Sequence, residues 1–85
     1  MTEPESFGQY VWAARKAKGY SDRQLGKHVR AAHTTISRIE NGSIPEPGLF
    51  LSLIDALDLD IITAVTLIDP YRRIYQRIVT ALEVK

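Results

Sequence analysis

Ser21-Asp22-Arg23-Gln24-Leu25-Gly26-Lys27-His28-Val29-Arg30-Ala31-Ala32-His33-Thr34-Thr35-Ile36-Ser37-Arg38-Ile39-Glu40-Asn41-Gly42 is the stretch that decides the fold. Ser21 with Gln24 three residues on fits a capping box, in which the hydroxyl accepts an orphan N–H and the Gln side chain reaches back. A helix therefore starts after Ser21. Leu25 and Val29, at i and i+4, form its inward pair, and Gly26 permits close approach of a neighbouring helix. The connector Arg30-Ala31-Ala32 leads into another helix from about His33 to Asn41, with Ile36 and Ile39 inward and Gly42 as the stop. That segment is polar: His33, Thr34, Thr35, Ser37 and Arg38 leave a thin apolar stripe, so most of its surface faces water or a polar partner.

Outward from this pair, Gly and Pro cut the chain into short segments with helical apolar spacing, and no run shows the alternation of a strand. The class is all-α. Phe7, Tyr10, Val11 and Ala14 share a stripe on a first helix from about Phe7 to Lys18, stopped by Gly19, with Trp12 off the stripe's centre. Pro45 and Pro47 fix a turn, and Pro47 starts a fourth helix carrying Phe50, Leu53, Ile54 and Leu57 inward. Asp60 caps a fifth over Ile61 to Ile68. Asp69-Pro70 reads as N-cap and first residue of a last helix to about Leu82. The chain divides into a loose lead-in over 1–6, a compact domain over 7–68 and a C-terminal helical segment over 69–85, with Glu83 to Lys85 also loose.

At 85 residues and 45% hydrophobic content there is material for one core. The absence of cysteine removes disulfides and thiolate metal sites and suits a reducing cytoplasm. The polar, acidic start Met1 to Ser6 does not read as a signal peptide, and Ser52, Asp55, Asp58, Thr63 and Thr66 interrupt the apolar stretches well short of a membrane span. No Gly-rich phosphate loop or Ser-His-Asp grouping is present, and His28 and His33 fall on different elements, so no enzyme, metal or cofactor is expected. The net charge is only +1. Its distribution is uneven: Arg15, Lys16, Lys18, Arg23, Lys27, Arg30 and Arg38 stand against Asp22 alone, whereas Glu40 to Asp69 holds six acids and no Lys or Arg. One lobe is basic.

Two short helices joined tightly, the second polar and flanked by cations, suit a major groove roughly 12 Å wide. The residues resemble the Cro and phage-repressor (XRE) helix-turn-helix family over about Phe7 to Ile68. The matching pieces are Arg15-x-x-x-Gly19-x-Ser21, Leu25, Ile36-Ser37-Arg38-Ile39-Glu40-Asn41-Gly42, Pro45, and the apolar Phe50, Leu53, Ala56, Leu57 and Leu59. The resemblance implies a lambda-repressor-like five-helix domain with an additional C-terminal helix, acting as a transcriptional regulator on double-stranded operator DNA. It implies that His33, Thr34, Ser37 and Arg38 lie at base edges. Ser21, Gln24, Lys27, Arg30, Thr35 and Asn41 are better placed for the sugar-phosphate backbone. Arg15 and Glu40 are expected to form a structural ion pair. Four positions depart from the family pattern. Gly26 replaces the usual Ala, and Arg30 replaces the turn Gly, which predicts a remodelled turn or a left-handed Arg30. Ala32 supplies no capping oxygen, and Asp22 replaces a phosphate-touching Gln, leaving Ser21 or Gln24 to substitute.

Operators are often palindromic because their binders are twofold dimers. The stripe Tyr71, Ile74, Tyr75, Ile78 and Leu82 exceeds what a five-helix core uses, which suggests a homodimer interface; docking on helix one through Trp12 is the alternative. Arg72, Arg73 and Arg77 lie on the opposite face. Two other functional readings stay open: an antitoxin that binds both DNA and a toxin, and a helix-turn-helix fold used only for protein interaction. The expected location is cytoplasmic, on the nucleoid when DNA is bound.

Overall fold

The computed structural model describes residues 4–83. Six helices follow in order: α1 Phe7–Ala17, α2 Asp22–Val29, α3 His33–Glu40, α4 Pro47–Leu57, α5 Ile61–Thr66 and α6 Asp69–Glu83. The described residues contain no strand, and the all-α reading holds. The lead-in over 1–6 and the tail over 83–85 lie partly outside the described residues. Within them, Ser6 is the N-cap of α1 and accepts from the Gln9 N–H.

Local chemistry explains each boundary. Ser21 and Gln24 form both halves of the capping box that opens α2. Asp60 opens α5 by accepting from Thr63, and those bonds, led by the Thr63 hydroxyl, hold its carboxyl below the usual carboxylate range. Gly19 and Gly42 stop α1 and α3 at φ of 75° and 115°. Glu46, an uncommon capping type, receives the Gly48 and Leu49 N–H groups ahead of Pro47. Two boundaries differ from expectation. α5 ends at Thr66, because Leu67 and Ile68 turn back onto Ala64 and Val65 through shorter-range bonds as Ile68 buries in the core. Asp69 is inside α6 and does not cap it: the Arg72 N–H bonds the Ile68 carbonyl at 2.8 Å, and the Asp69 carboxylate turns to Arg72 and Arg73.

Val11, Leu25, Ile36 and Leu53 are fully buried, one from each of α1 to α4, so four helices close on one centre. Phe7 and Phe50 meet at a centroid separation of 5.3 Å, and Tyr71 of α6 meets Phe50 at 4.8 Å. Most of α6 lies beyond that core, packed chiefly on α5. Trp12 remains 49% exposed on α1.

Arg30, the C-cap of α2, adopts φ 57° and ψ 44°. That is the left-handed region, which costs an L residue roughly 1–2 kcal/mol. Glycine would remove the strain and return part of the gain as extra freedom of the unfolded chain. Arg30→Gly is accordingly expected to stabilise the fold by about 0.5–1 kcal/mol, measured by urea unfolding; an unchanged or lowered midpoint would show that the turn relies on the Arg side chain.

Candidate nucleic-acid interface

The geometry of α3 follows from its two buried residues. Ile36 and Ile39 face the core, and the opposite side carries two i, i+4 rows: His33, Ser37 and Asn41, and Thr34 with Arg38. Thr34, Ser37, Arg38 and Asn41 are exposed and His33 is half-buried, so the structure brings these five onto one surface. Thr35 falls on the flank and is half-buried. Asn41 folds back over the helix end, its Nδ2 donating to the Ser37 carbonyl at 2.8 Å.

The C-terminal end of α3 is pinned to α1 by a charged pair. The Arg15 guanidinium reaches Glu40 through two parallel bonds, Nε to Oε2 at 2.6 Å and Nη2 to Oε1 at 2.9 Å, while Nη1 donates to the Tyr20 carbonyl at 2.9 Å. Arg15 is only 7% exposed. The hydrogen bond to Glu40 holds its pKa above the ordinary arginine value. Beside this pair α1 crosses α3 at Gly8, where a Cβ would stand 2.6 Å from the Ile39 carbonyl oxygen and 2.7 Å from that of Glu40. The role of Gly8 is invisible in a single sequence, since a glycine inside a helix announces nothing about what crosses it.

The other end of α3 has no side-chain cap. Ala32 is the N-cap and provides no side-chain hydrogen bond, so the first-turn N–H groups are left to solvent or to a ligand. Ala32 is exposed and extended, a geometry that a hydroxyl-bearing residue fits without rearrangement. Ala32→Ser should therefore add about 1 kcal/mol of stability. The thermal midpoint would rise by roughly 4–8 °C; no rise in a melting curve would mean that the first turn is already satisfied.

The remaining candidates flank this surface. Ser21 and Gln24 are exposed but occupied with each other in the capping box. With Arg15, Lys16, Gly19, Tyr20 and Asp22 they line an open hollow at the start of α2, where the Asp22 charge disfavours an anion. Lys27 and Arg30 sit together on the far side of α2 with Arg23 and His33. Ile74, Ile78 and Leu82 on α6 are 57%, 53% and 67% exposed. Tyr71 is spent within its own chain, its hydroxyl donating to the Pro45 carbonyl at 2.7 Å. Tyr75 lines an apolar groove with Leu51, Val65, Ile74 and Ile78.

Among the described residues no group of His, Cys, Asp or Glu is placed to hold a metal ion, and no helix is long and apolar enough to cross a membrane. The sequence profile of a family described as a helix-turn-helix domain matches residues 6–64. Neither a curated protein nor a solved structure matches the chain. The profile spans α1 through most of α5, including the whole α2-turn-α3 unit. The chain belongs to the helix-turn-helix domain family, as its resemblance to the Cro and phage-repressor type implied.

Proposed function

We propose that this protein is a sequence-specific regulator of transcription, acting as a repressor, that reads operator DNA by laying α3 in the major groove. The observation that carries the reading is the exposed polar face of α3, presented by a helix whose far end is pinned by Arg15 and Glu40. In this role His33, Thr34, Ser37 and Arg38 read base edges, where an arginine pairs with guanine O6 and N7 and a threonine methyl packs on thymine. Ser21, Gln24, Lys27, Arg30, Thr35 and Asn41 bear on the sugar-phosphate backbone and set register.

The segment after residue 68 serves in this proposal as a pairing element. Ile74, Tyr75, Ile78 and Leu82, with Tyr71 at the edge, meet the same residues of a second copy. Exposed isoleucines spaced one turn apart beside an apolar groove support it. The operator is then an inverted repeat whose half-sites lie about one helical turn, or a multiple of it, apart.

The test is selection of bound duplexes from a random pool, followed by titration of the best duplex against salt. Repeated half-sites and a steep negative dependence of log affinity on log salt are expected, about −0.9 per phosphate neutralised. Arg38→Ala should reduce preference for the selected sequence by roughly tenfold, the lower end of what one arginine–guanine pair discriminates. A random pool that yields no enriched sequence, or binding indifferent to salt, would leave a fold used for protein contact alone.

A further inference from the structure

Asn41 is the single asparagine of the chain, and a glycine follows it. The pair stands at the exposed end of α3, where Asn41, Gly42, Ser43 and Ile44 all face solvent. An asparagine amide carbon is open to attack by the backbone nitrogen of the next residue, and a following glycine leaves that nitrogen unshielded by a side chain. Gly42 lies at φ 115°, and a Cβ built on it would meet nothing within 4 Å, so the approach is clear. The folded turn nevertheless holds the reactants apart. At the ψ of 11° that Asn41 adopts, the Gly42 nitrogen nearly eclipses the Asn41 nitrogen, whereas ring closure needs it beside Cβ. Asn41 Nδ2 donates to the Ser37 carbonyl at 2.8 Å and the Gly42 N–H to the Ile39 carbonyl at 3.1 Å. The Ser43 N–H closes the turn on the Arg38 carbonyl at 2.9 Å. Such bonds at an exposed helix end open locally, at far lower cost than unfolding the domain.

We propose that Asn41 is a self-modification site, a deamidation centre latched by the last turn of α3. When the turn opens, the Gly42 nitrogen gives its proton to hydroxide and bonds to Asn41 Cγ. The Cγ–Nδ2 bond breaks, and the amide nitrogen takes a proton from water and leaves as ammonia. Water then opens the succinimide at one of its two carbonyls, giving aspartate or isoaspartate, with no change of oxidation state. Both products are anionic. A carboxylate accepts and does not donate, so the bond to the Ser37 carbonyl cannot re-form. The new charge also opposes the dipole at the helix C-terminus, so the turn stays loosened. It emerges on the row of His33 and Ser37 and repels phosphate, which retires the modified chain from DNA. This last consequence rests on the reading that α3 enters DNA; the modification does not.

The native full chain, the same chain unfolded in guanidinium chloride, and native Asn41→Gln are incubated from mildly acidic to mildly alkaline pH. Mass spectrometry of the peptide containing position 41 follows exchange of the amide for a carboxyl. The native chain is expected to react at Asn41 roughly tenfold more slowly than the unfolded one, as local opening allows. The rate should rise with pH, because the Gly42 amide must lose its proton, and Asn41→Gln should stay unmodified over the same period. Equal rates in native and unfolded chains overturn the latch. A native rate reduced by the full global unfolding constant, roughly a thousandfold or more for an ordinary domain, overturns it too. Asn41→Asp, titrated against the selected duplex, should bind at least about tenfold more weakly than the parent. Equal binding overturns the loss of DNA affinity. A parent that binds no duplex while Asn41 still reacts at the latched rate removes the DNA reading and supports the modification site.

Discussion

Glu40→Ala should lower the stability of the fold by about 3–5 kcal/mol, the range observed when one partner of a buried ion pair is removed. The Arg15 and Glu40 side chains are only 9% and 10% exposed. Alanine would leave the nearly buried guanidinium with the Tyr20 carbonyl as its remaining hydrogen-bond partner, and a buried unpaired charge costs far more than the pair contributes. Urea denaturation of the variant measures this directly. Arg15→Met/Glu40→Leu supplies the complementary arm, since replacing both charges by apolar groups of similar volume removes the penalty and should recover most of the loss. Recovery is incomplete because the Tyr20 carbonyl then lacks its donor. A double variant as unstable as Glu40→Ala would show that the geometry of the pair, and not the stranded charge, is what matters.

Gly8→Ala carries the other large effect, and its sign runs against helix propensity. In an exposed helix interior alanine is better than glycine by about 1 kcal/mol. At Gly8 the added Cβ meets three backbone atoms of the α3 end, Ile39 O at 2.6 Å, Glu40 O at 2.7 Å and Glu40 C at 2.9 Å. Backbone held by buried Ile36 and Ile39 cannot swing aside as a side chain would. Overpacking of this kind costs about 1–3 kcal/mol or more. The net expectation is a loss of roughly 2 kcal/mol, read as a lowered urea midpoint with unchanged slope, accompanied by weaker DNA binding as α3 tilts. A variant as stable as the parent would mean that the helices slide apart freely.

The contrast between these two sites shows which features a single sequence exposes. Local chemistry is legible where one residue type does one job over a few positions. The Ser21 and Gln24 box, the Asp60 cap, the stops at Gly19 and Gly42 and the inward pairs Leu25 and Val29, and Ile36 and Ile39, all follow from spacing. Arg30 is an intermediate case: the departure from glycine flagged the turn, and the structure resolved the choice in favour of a left-handed arginine. Gly26 marks a close approach in the sequence, and the structure fills it with the Ala31 carbonyl of the turn and, behind it, the backbone of His33 that opens α3. Contacts across the chain are illegible because they depend on angles between helices. Gly8 against Ile39 and Glu40, and Tyr71 against Pro45, link residues with nothing in common but proximity. The Arg15 and Glu40 pair, 25 positions apart, was suggested by resemblance and not by pattern. The same limit governed α6, whose apolar stripe was plain while its course along α5 was not. For the candidate interface, the polar face of α3 was readable from its composition. The gathering of Arg23, Lys27, Arg30 and His33 around one hollow needed the turn in three dimensions.

The lopsided mounting of α3 has a consequence of its own. Different forces hold the two ends of the helix: a charged pair and α1 backbone at Glu40, and only backbone packing against Gly26, with no side-chain cap, at His33. In the proposed complex, a side chain placed at position 32 would therefore alter the entry to α3 without touching the contact that sets the bearing of its Glu40 end.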